Sequence, residues 1–164
     1  GVLVKGANYI EKLTEIKNFV FDKTGTLTKG VIEVTKIEAF DISKNELLRV
    51  VAIVESFSTH PIAKAVVKEC KEELNLKELS FSEEFSGLGI KAIVNEKEIL
   101  VGNRKLLEKF GIKISQNLND SLNIVYVSIN SKFVGYIVVS DVIKSEAKKF
   151  LKELKKLNIL KTYD

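Results

Sequence analysis

The sequence predicts a combined α/β and α+β fold, in which an antiparallel-sheet domain is inserted into a parallel-sheet domain. Near the start, Lys17–Asp22 (KNFVFD) is almost continuously apolar, as in a parallel strand covered on both faces. Val31–Phe40 instead alternates apolar and polar residues, which is typical of an antiparallel strand with one exposed face. A charged helix, Ser145–Leu157, follows the last antiparallel pattern. We therefore expect three segments, the middle one inserted: residues 1–29, 30–137 and 138–164.

Two helices are expected after the first antiparallel strand. Ser43–Glu46 (SKNE) is a capping box, which predicts a helix through about Phe57. A second helix is predicted at STHP, with Ser58 or Thr59 as its cap and Pro61 in its first turn. The apolar stripe expected on this helix consists of Ile62, Val66, Cys70 and Leu74.

Two hairpins and a short helix complete the predicted middle domain. Asn103 is expected to cap the short helix and Gly111 to end it. The hairpins are indicated by apolar runs on both sides of polar turns. The predicted pairs are Gly89–Val94 with Ile99–Gly102 around residues 95–98, and Ile124–Ile129 with Phe133–Val139 around residues 130–132.

The composition is that of an ordinary folded protein. The 164 residues are 45% hydrophobic and 29% charged, and the net charge of +4 comes without a block of basic residues interleaved with aromatics. This pattern argues against nucleic-acid binding. The single Cys70 excludes an internal disulfide and fits a reducing compartment. No apolar run approaches the roughly 20 residues that span a bilayer, and the start at Gly1 leads us to expect a piece of a longer protein.

A single acid, Asp22, ends the first predicted strand. Ligands of open parallel sheets bind beyond the carboxyl ends of the strands. Gly25 behind it lets main-chain N–H groups converge on an anion such as phosphate. A carboxylate in that position can hold Mg²⁺ or attack phosphorus. From these residues alone, a solvated acid that caps the turn remains the alternative.

The seven residues DKTGTLT, Asp22–Thr28, resemble the phosphorylation motif of P-type ATPases. The resemblance implies that Asp22 is the phosphorylated nucleophile and a Mg²⁺ ligand. It implies that Thr24 offers a main-chain carbonyl to the same Mg²⁺, that Thr26 contacts phosphate, and that Lys23 belongs to the phosphate surroundings.

Three further motifs resemble the heavy-metal-transporting subgroup of that family. ESFSTHPIA is similar to its E-x4-HP element, although Ser58-Thr59 stand where Ser-Glu is usual. SGLGI is similar to its G-x-G element, and VGNRKLLEKFGI to its G-N element. The resemblance implies a nucleotide site made by Glu55, His60, Gly87, Gly89 and Asn103.

The chemistry of these residue types suits a nucleotide, but each has an ordinary alternative. An imidazole such as His60 can stack on adenine or donate a hydrogen bond to it, and Glu55 can accept one from its amino group. Glycines let main chain lie close against a ligand. Equally, a lone His beside a helix start can be a surface or capping residue, G-x-G can be a turn, and Asn103 can be only a cap.

The last motif, SDVIK, resembles the hinge at which the inserted domain of the subgroup returns. This implies that Asp141, accompanied by Lys144, lines the path of the nucleotide phosphates. The alternative is an acid favoured by the dipole of the helix that begins near Ser145. Beyond that helix, Ile159 and Leu160 predict the start of a strand, and residues 162–164 (TYD) are a poor match to the TGD element of the family.

Taken together, the resemblance implies the ATP-binding catalytic part of a copper-type, CopB-like P-type ATPase, with ATP and Mg²⁺ as cofactors. It implies an incomplete haloacid dehalogenase-like, Rossmann-like phosphorylation domain whose Asp22 is phosphorylated very slowly in this piece. It also implies a parent in a membrane, this portion being cytoplasmic and monomeric, with transmembrane and actuator domains elsewhere in the parent. The alternatives are a haloacid dehalogenase-like phosphatase, disfavoured because Thr24 stands where those enzymes carry a second Asp, and a non-catalytic nucleotide-binding module.

Overall fold

The computed structural model describes residues 3–16, 18–114 and 123–156, and it divides into two compact units. Unit 1 consists of Gly1–Val31 and Asp141–Asp164, and unit 2 of Ile32–Ser140. The predicted boundaries at residues 30 and 137 lie within a few residues of these limits. Within the described ranges, no helix has the length and apolarity needed to cross a bilayer.

Unit 2 is built on a six-stranded sheet in the order β1-β6-β5-β4-β3-β2. The pairs from β2 to β6 are antiparallel. The Thr35 hydroxyl donates a hydrogen bond to the Val138 carbonyl, and Phe40 N donates one to the Val134 carbonyl. β1 is therefore also antiparallel to β6. The strands are β1 Thr28–Ala39, β2 Leu79–Phe85, β3 Gly89–Val94, β4 Lys97–Gly102, β5 Asn123–Ile129 and β6 Lys132–Ile143.

Both predicted hairpins are confirmed, and both turns are shorter than the sequence indicated. The turns are Asn95–Glu96 and Asn130–Ser131, and all four residues have positive φ. Two-residue turns with both φ values positive match the twist of antiparallel strands, and Asn tolerates that conformation well. Strand β2 was missed, because this edge strand is mostly exposed and polar and shows no clean alternation.

Among the residues that the structure describes, three α-helices cover the two faces of this sheet. α2, Lys44–Glu55, begins at the predicted cap, where Ser43 Oγ accepts a hydrogen bond of 3.1 Å from Glu46 N. α2 and α3, Pro61–Glu69, pack on one face with core residues such as Val101. The short α4, Arg104–Lys109, packs on the opposite face with Leu100. The fold class predicted for this unit, an antiparallel sheet flanked by helices, is confirmed.

The described residues of unit 1 form two α-helices, α1 Ala7–Leu13 and α5 Ser145–Lys156. The predicted strand Lys17–Asp22 is wrong over its described residues 18–22, which are irregular, and Val20 is 98% exposed. A strand is stabilised by its neighbours, and in the described part of the chain none pairs with this segment. Its Phe21 ring instead meets the α5 ring of Phe150 edge-on, with centroids 5.8 Å apart. The predictions for residues 157–164 lie outside the described residues.

Candidate functional site

The loop Asp22–Thr28 in unit 1 carries the predicted nucleophile on its exposed side. Asp22 has extended main chain, and the five residues after it form one irregular turn in which Gly25 has φ +79°. The side chains of Asp22, Lys23, Thr24 and Thr26 are all exposed. Among the described residues, no hydrogen bond or ion pair reaches the Asp22 carboxylate, so its oxygens are accessible to a ligand.

Thr28 fixes the end of this loop from inside. Its side chain is only 3% exposed, and its hydroxyl donates to Asp141 Oδ2 at 2.5 Å while accepting from Gly25 N at 3.1 Å. The Lys23 carbonyl lies 3.1 Å from the same hydroxyl. This one buried hydroxyl therefore connects two positions of the turn, Lys23 and Gly25, with Asp141 on β6.

Asp141 and Lys144, from the predicted hinge, both bind the loop. The second Asp141 oxygen accepts from Gly30 N at 3.0 Å. Lys144 Nζ donates to the Gly25 carbonyl at 2.6 Å, and Lys144 N donates to the Leu27 carbonyl at 2.9 Å. Asp141 lies within β6, two residues before the strand ends at Ile143, and its carboxylate bonds to the loop residues Thr28 and Gly30. Its predicted contact with nucleotide phosphates stays a prediction.

The donor set of the loop fits Mg²⁺ in its chemistry. The Asp22 carboxylate and the Thr24 carbonyl are hard oxygen ligands, and Mg²⁺ typically takes one or two carboxylates together with substrate phosphates. In the described part of the chain, no group of three or more acidic, His or Cys side chains forms a ready-made metal site. The loop alone therefore offers only part of a coordination shell.

A cleft of about 250 Å³ in unit 2 brings together five of the predicted nucleotide-binding residues. It lies where the end of α2, the start of α3, the β2–β3 turn and the end of β4 meet. Its walls include Glu55, His60, Gly87, Gly89 and Asn103. The sequence missed Glu84 and Phe85, which also line the cleft, because both lie on the unrecognised edge strand β2.

Glu55 at the end of α2 has an unusual acidity. Its pKa is raised to about 7, chiefly by burial and in smaller part by the negative charge of Glu84, while a hydrogen bond from Ser58 acts in the opposite direction. At neutral pH this carboxyl group is therefore present in both protonation states, so it can donate or accept a hydrogen bond in the cleft.

His60 itself is the cap of α3, which corrects the prediction of Ser58 or Thr59. Its Nδ1 accepts from Ile62 N at 3.2 Å, and Pro61 occupies the first turn as expected. Since Nδ1 acts as the acceptor, the proton of the neutral ring lies on Nε2, which is the nitrogen left for a ligand. Ser58 Oγ accepts from His60 N at 3.3 Å and so belongs to the same start of the helix.

The glycines of the cleft occupy their positions for different physical reasons. A Cβ atom at Gly89 would lie 2.2 Å from the Val101 carbonyl oxygen, and one at Gly102 would lie 2.3 Å from the Leu88 carbonyl oxygen. These two positions are glycine because the β3 and β4 main chains approach each other closely. Gly87 has φ +69° and open space where a Cβ would point, so it is the one that leaves room beside a ligand.

Asn103 joins the two sides of the cleft. Its Oδ1 accepts from Leu106 N at 3.1 Å, which confirms the predicted cap of α4. Its Nδ2 donates to the Gly87 carbonyl at 2.8 Å, and its main-chain N donates to the Leu88 carbonyl at 2.8 Å. These bonds hold the β2–β3 turn against the start of α4.

Comparison with known proteins identifies the family of this chain. A family model described as haloacid dehalogenase-like hydrolase matches residues 16–163. The chain belongs to the haloacid dehalogenase-like hydrolases. The predicted phosphorylation-domain class and the hydrolase assignment are thereby confirmed.

The relatives of this haloacid dehalogenase-like chain are heavy-metal-transporting P-type ATPases, as the motifs predicted. It is 45% identical to a cadmium, zinc and cobalt-transporting ATPase of Bacillus subtilis (strain 168), with 99% of this chain and 23% of that protein covered. It is 37% identical to a copper-exporting P-type ATPase of Staphylococcus epidermidis, with coverage of 97% and 21%. The chain thus spans about a quarter of the length of these relatives.

A solved structure of the catalytic domain of the CPx-ATPase CopB-B, studied upon nucleotide binding, is also similar to this haloacid dehalogenase-like chain. The TM-score is 0.62 at 32% identity, covering 94% of this chain and 55% of that one. The similarity to a cadmium, zinc and cobalt transporter is higher than to the copper exporter, so these matches do not single out copper.

Proposed function

We propose that this chain is the ATP-binding and phosphorylation segment of a heavy-metal-transporting P-type ATPase, whose parent moves a metal ion across a membrane. The observation that carries the proposal is the cleft of unit 2, which gathers Glu55, His60, Gly87, Gly89 and Asn103 from separate parts of the sequence. The relatives, and the solved structure of a similar catalytic domain studied upon nucleotide binding, support it. The transported metal is left at the level of the heavy-metal class.

In this proposal the adenine base lies in the cleft. The Glu55 carboxyl group accepts a hydrogen bond from the amino group of the base, and the His60 ring stacks on the base or donates to it. The Phe85 ring adds apolar surface on the β2 side. Gly87 leaves its main chain open to the ligand.

In unit 1, Asp22 acts as the nucleophile. A carboxylate oxygen forms a bond to the γ-phosphorus of ATP, the bond between that phosphorus and the bridging oxygen breaks, and ADP leaves with that oxygen. Asp22 and the Thr24 carbonyl would hold Mg²⁺, which offsets the charge of carboxylate and phosphate together. Thr28, Asp141 and Lys144 keep the loop in shape through the hydrogen bonds described above.

Titration of the chain with ATP, followed by the chemical shifts of assigned main-chain amides, tests the proposal. The expected result is saturable shifts at the five cleft residues, with GTP as the comparison ligand giving smaller shifts. An unchanged spectrum at those positions in a folded chain would show that the proposal is wrong.

A second readout addresses Asp22. Labelled ATP and Mg²⁺ should slowly place an acid-stable, hydroxylamine-labile phosphate on the wild-type chain and none on Asp22→Asn. Label of equal amount on both chains would exclude Asp22 as the acceptor.

A further inference from the structure

A second groove of about 490 Å³ lies beside the cleft in unit 2 and shares a wall with it. The shared wall is made by Gly87, Leu88, Asn103 and Ile124, which line both depressions. The hydrogen bonds of Asn103 to the Gly87 and Leu88 carbonyls hold this wall in place. A ligand that extends over the wall would therefore enter both.

The two depressions differ in charge. The cleft is lined by two acids, Glu55 and Glu84. The second groove, which we call the basic groove, is lined by Arg104 and Lys105 with Glu108 as the acid beside them. Negative charge is therefore disfavoured in the cleft and favoured on the other side of the wall.

The two cations are placed differently in the basic groove. Arg104 is half-buried, and its guanidinium carbon lies 5.4 Å from the centroid of the buried Tyr126 ring, which restricts where the side chain can go. Lys105 is exposed and can follow a ligand. A guanidinium group matches the geometry of phosphate oxygens, and an ammonium group adds a compact charge.

We propose that Arg104 and Lys105 form an anion subsite in the basic groove, which holds the polyphosphate of a nucleotide whose base lies in the cleft. The inference rests on the proposed nucleotide function and deepens it, because it gives the nucleotide one orientation. The acids at the cleft repel the phosphates and the basic groove attracts them. The neutral base therefore lies on one side of the wall and the charged polyphosphate on the other.

The test compares adenosine with ATP on the full chain, without Mg²⁺, by amide chemical-shift titration. For wild type, ATP should bind more tightly than adenosine. Arg104→Gln and Lys105→Gln should each weaken ATP binding about three- to ten-fold, with less than about a two-fold change for adenosine, as for the loss of one charge-assisted contact at a partly exposed site. Added salt should weaken ATP binding more in wild type than in the double variant.

Lys97→Gln is the matched control, because it removes the same charge at the β3–β4 turn and lines neither depression. Lys105→Gln guards against a folding defect, since that side chain is exposed. Equal affinity of wild type for adenosine and ATP, or an equal loss for both ligands in the variants, would overturn the subsite while leaving the base site intact. If neither ligand shifts the cleft residues of wild type, the proposed function fails and the subsite with it.

Discussion

The hydroxyl of Thr28 donates a 2.5 Å hydrogen bond to the carboxylate of Asp141, two residues that lie 113 positions apart in the chain. The same carboxylate accepts from Gly30 N at 3.0 Å, and the same hydroxyl accepts from Gly25 N. Hydrogen bonds to an ionised group are stronger than neutral ones, particularly when the donor is buried. The shape of the Asp22–Thr28 loop therefore depends on a residue far away in the sequence.

Thr28→Val should loosen this loop. The change keeps the shape of the side chain but removes its hydroxyl, which leaves Asp141 and Gly25 N each without one partner. We expect a loss of about 1 to 3 kcal/mol in the stability of unit 1. Hydrogen exchange at the Gly25 amide should accelerate about ten-fold. Thr26→Val is the control, since that threonine is exposed, and equal acceleration in both variants would contradict the role of Thr28.

Glycine substitutions in the cleft should separate packing from conformation. Gly89→Ala has an unfavourable φ of +140° and in addition places a methyl group 2.2 Å from the Val101 carbonyl oxygen, so we expect a loss of about 2 to 4 kcal/mol in the free energy of unfolding. In Gly87→Ala the added methyl group meets no atom within 4 Å. Only the φ of +69° is unfavourable for alanine, so the free energy of unfolding should fall by about 1 to 2 kcal/mol. Urea unfolding measures both. A Gly87→Ala loss as large as that of Gly89→Ala would contradict this division.

Elements with strong local signals could be predicted from the sequence. The capping box at Ser43 fixes its helix start with its own side chain and appears as expected. The two turns appear at the predicted places, although shorter than predicted, because Asn tolerates the positive φ that they require. The cap of α3 was assigned to the wrong residue, because Ser and Thr are the common caps and His60 does the same task with a ring nitrogen.

Features that depend on distant partners could not be predicted. The apolar run at residues 18–22 reads as a strand, but a strand forms only where a neighbour supplies its hydrogen bonds. Glu84 acts on Glu55 across the cleft, and no local pattern relates the two. Gly102 was expected only as part of a motif, whereas its contact with the β3 side explains why a side chain is excluded there.

Two substitutions of His60 should separate its roles as cap and as ligand contact. His60→Asn keeps a good N-cap for α3 but removes the ring, so stability should change by less than about 0.5 kcal/mol while ATP binding weakens several-fold. His60→Ala removes both, with a further loss of about 1 kcal/mol in stability. Thermal unfolding and ATP titration provide the two measurements. Unchanged ATP affinity in a stable His60→Asn chain would mean that the ring does not contact the base.

The acidity of Glu55 predicts how stability depends on pH. Its pKa is about 7 in the folded chain against an ordinary 4.5, so between these values the folded state retains a proton that the unfolded state releases. The stability that Glu55 contributes is complete below pH 4.5 and is lost as the pH rises through 7. Glu55→Gln should therefore be more stable than wild type at pH 8 by about 1 to 2 kcal/mol, discounted for partial exposure, with the difference vanishing near pH 4.

Glu84→Gln should lower the pKa of Glu55, which is measured from the chemical shift of the Glu55 carboxyl carbon. The pKa should still lie above 4.5, because burial is the larger cause of the shift. Glu83→Gln is the control, since Glu83 is next to Glu84 on β2 and points to the other face of the sheet. An equal effect of both substitutions would show that general surface charge, and not the Glu55–Glu84 pair, sets this acidity.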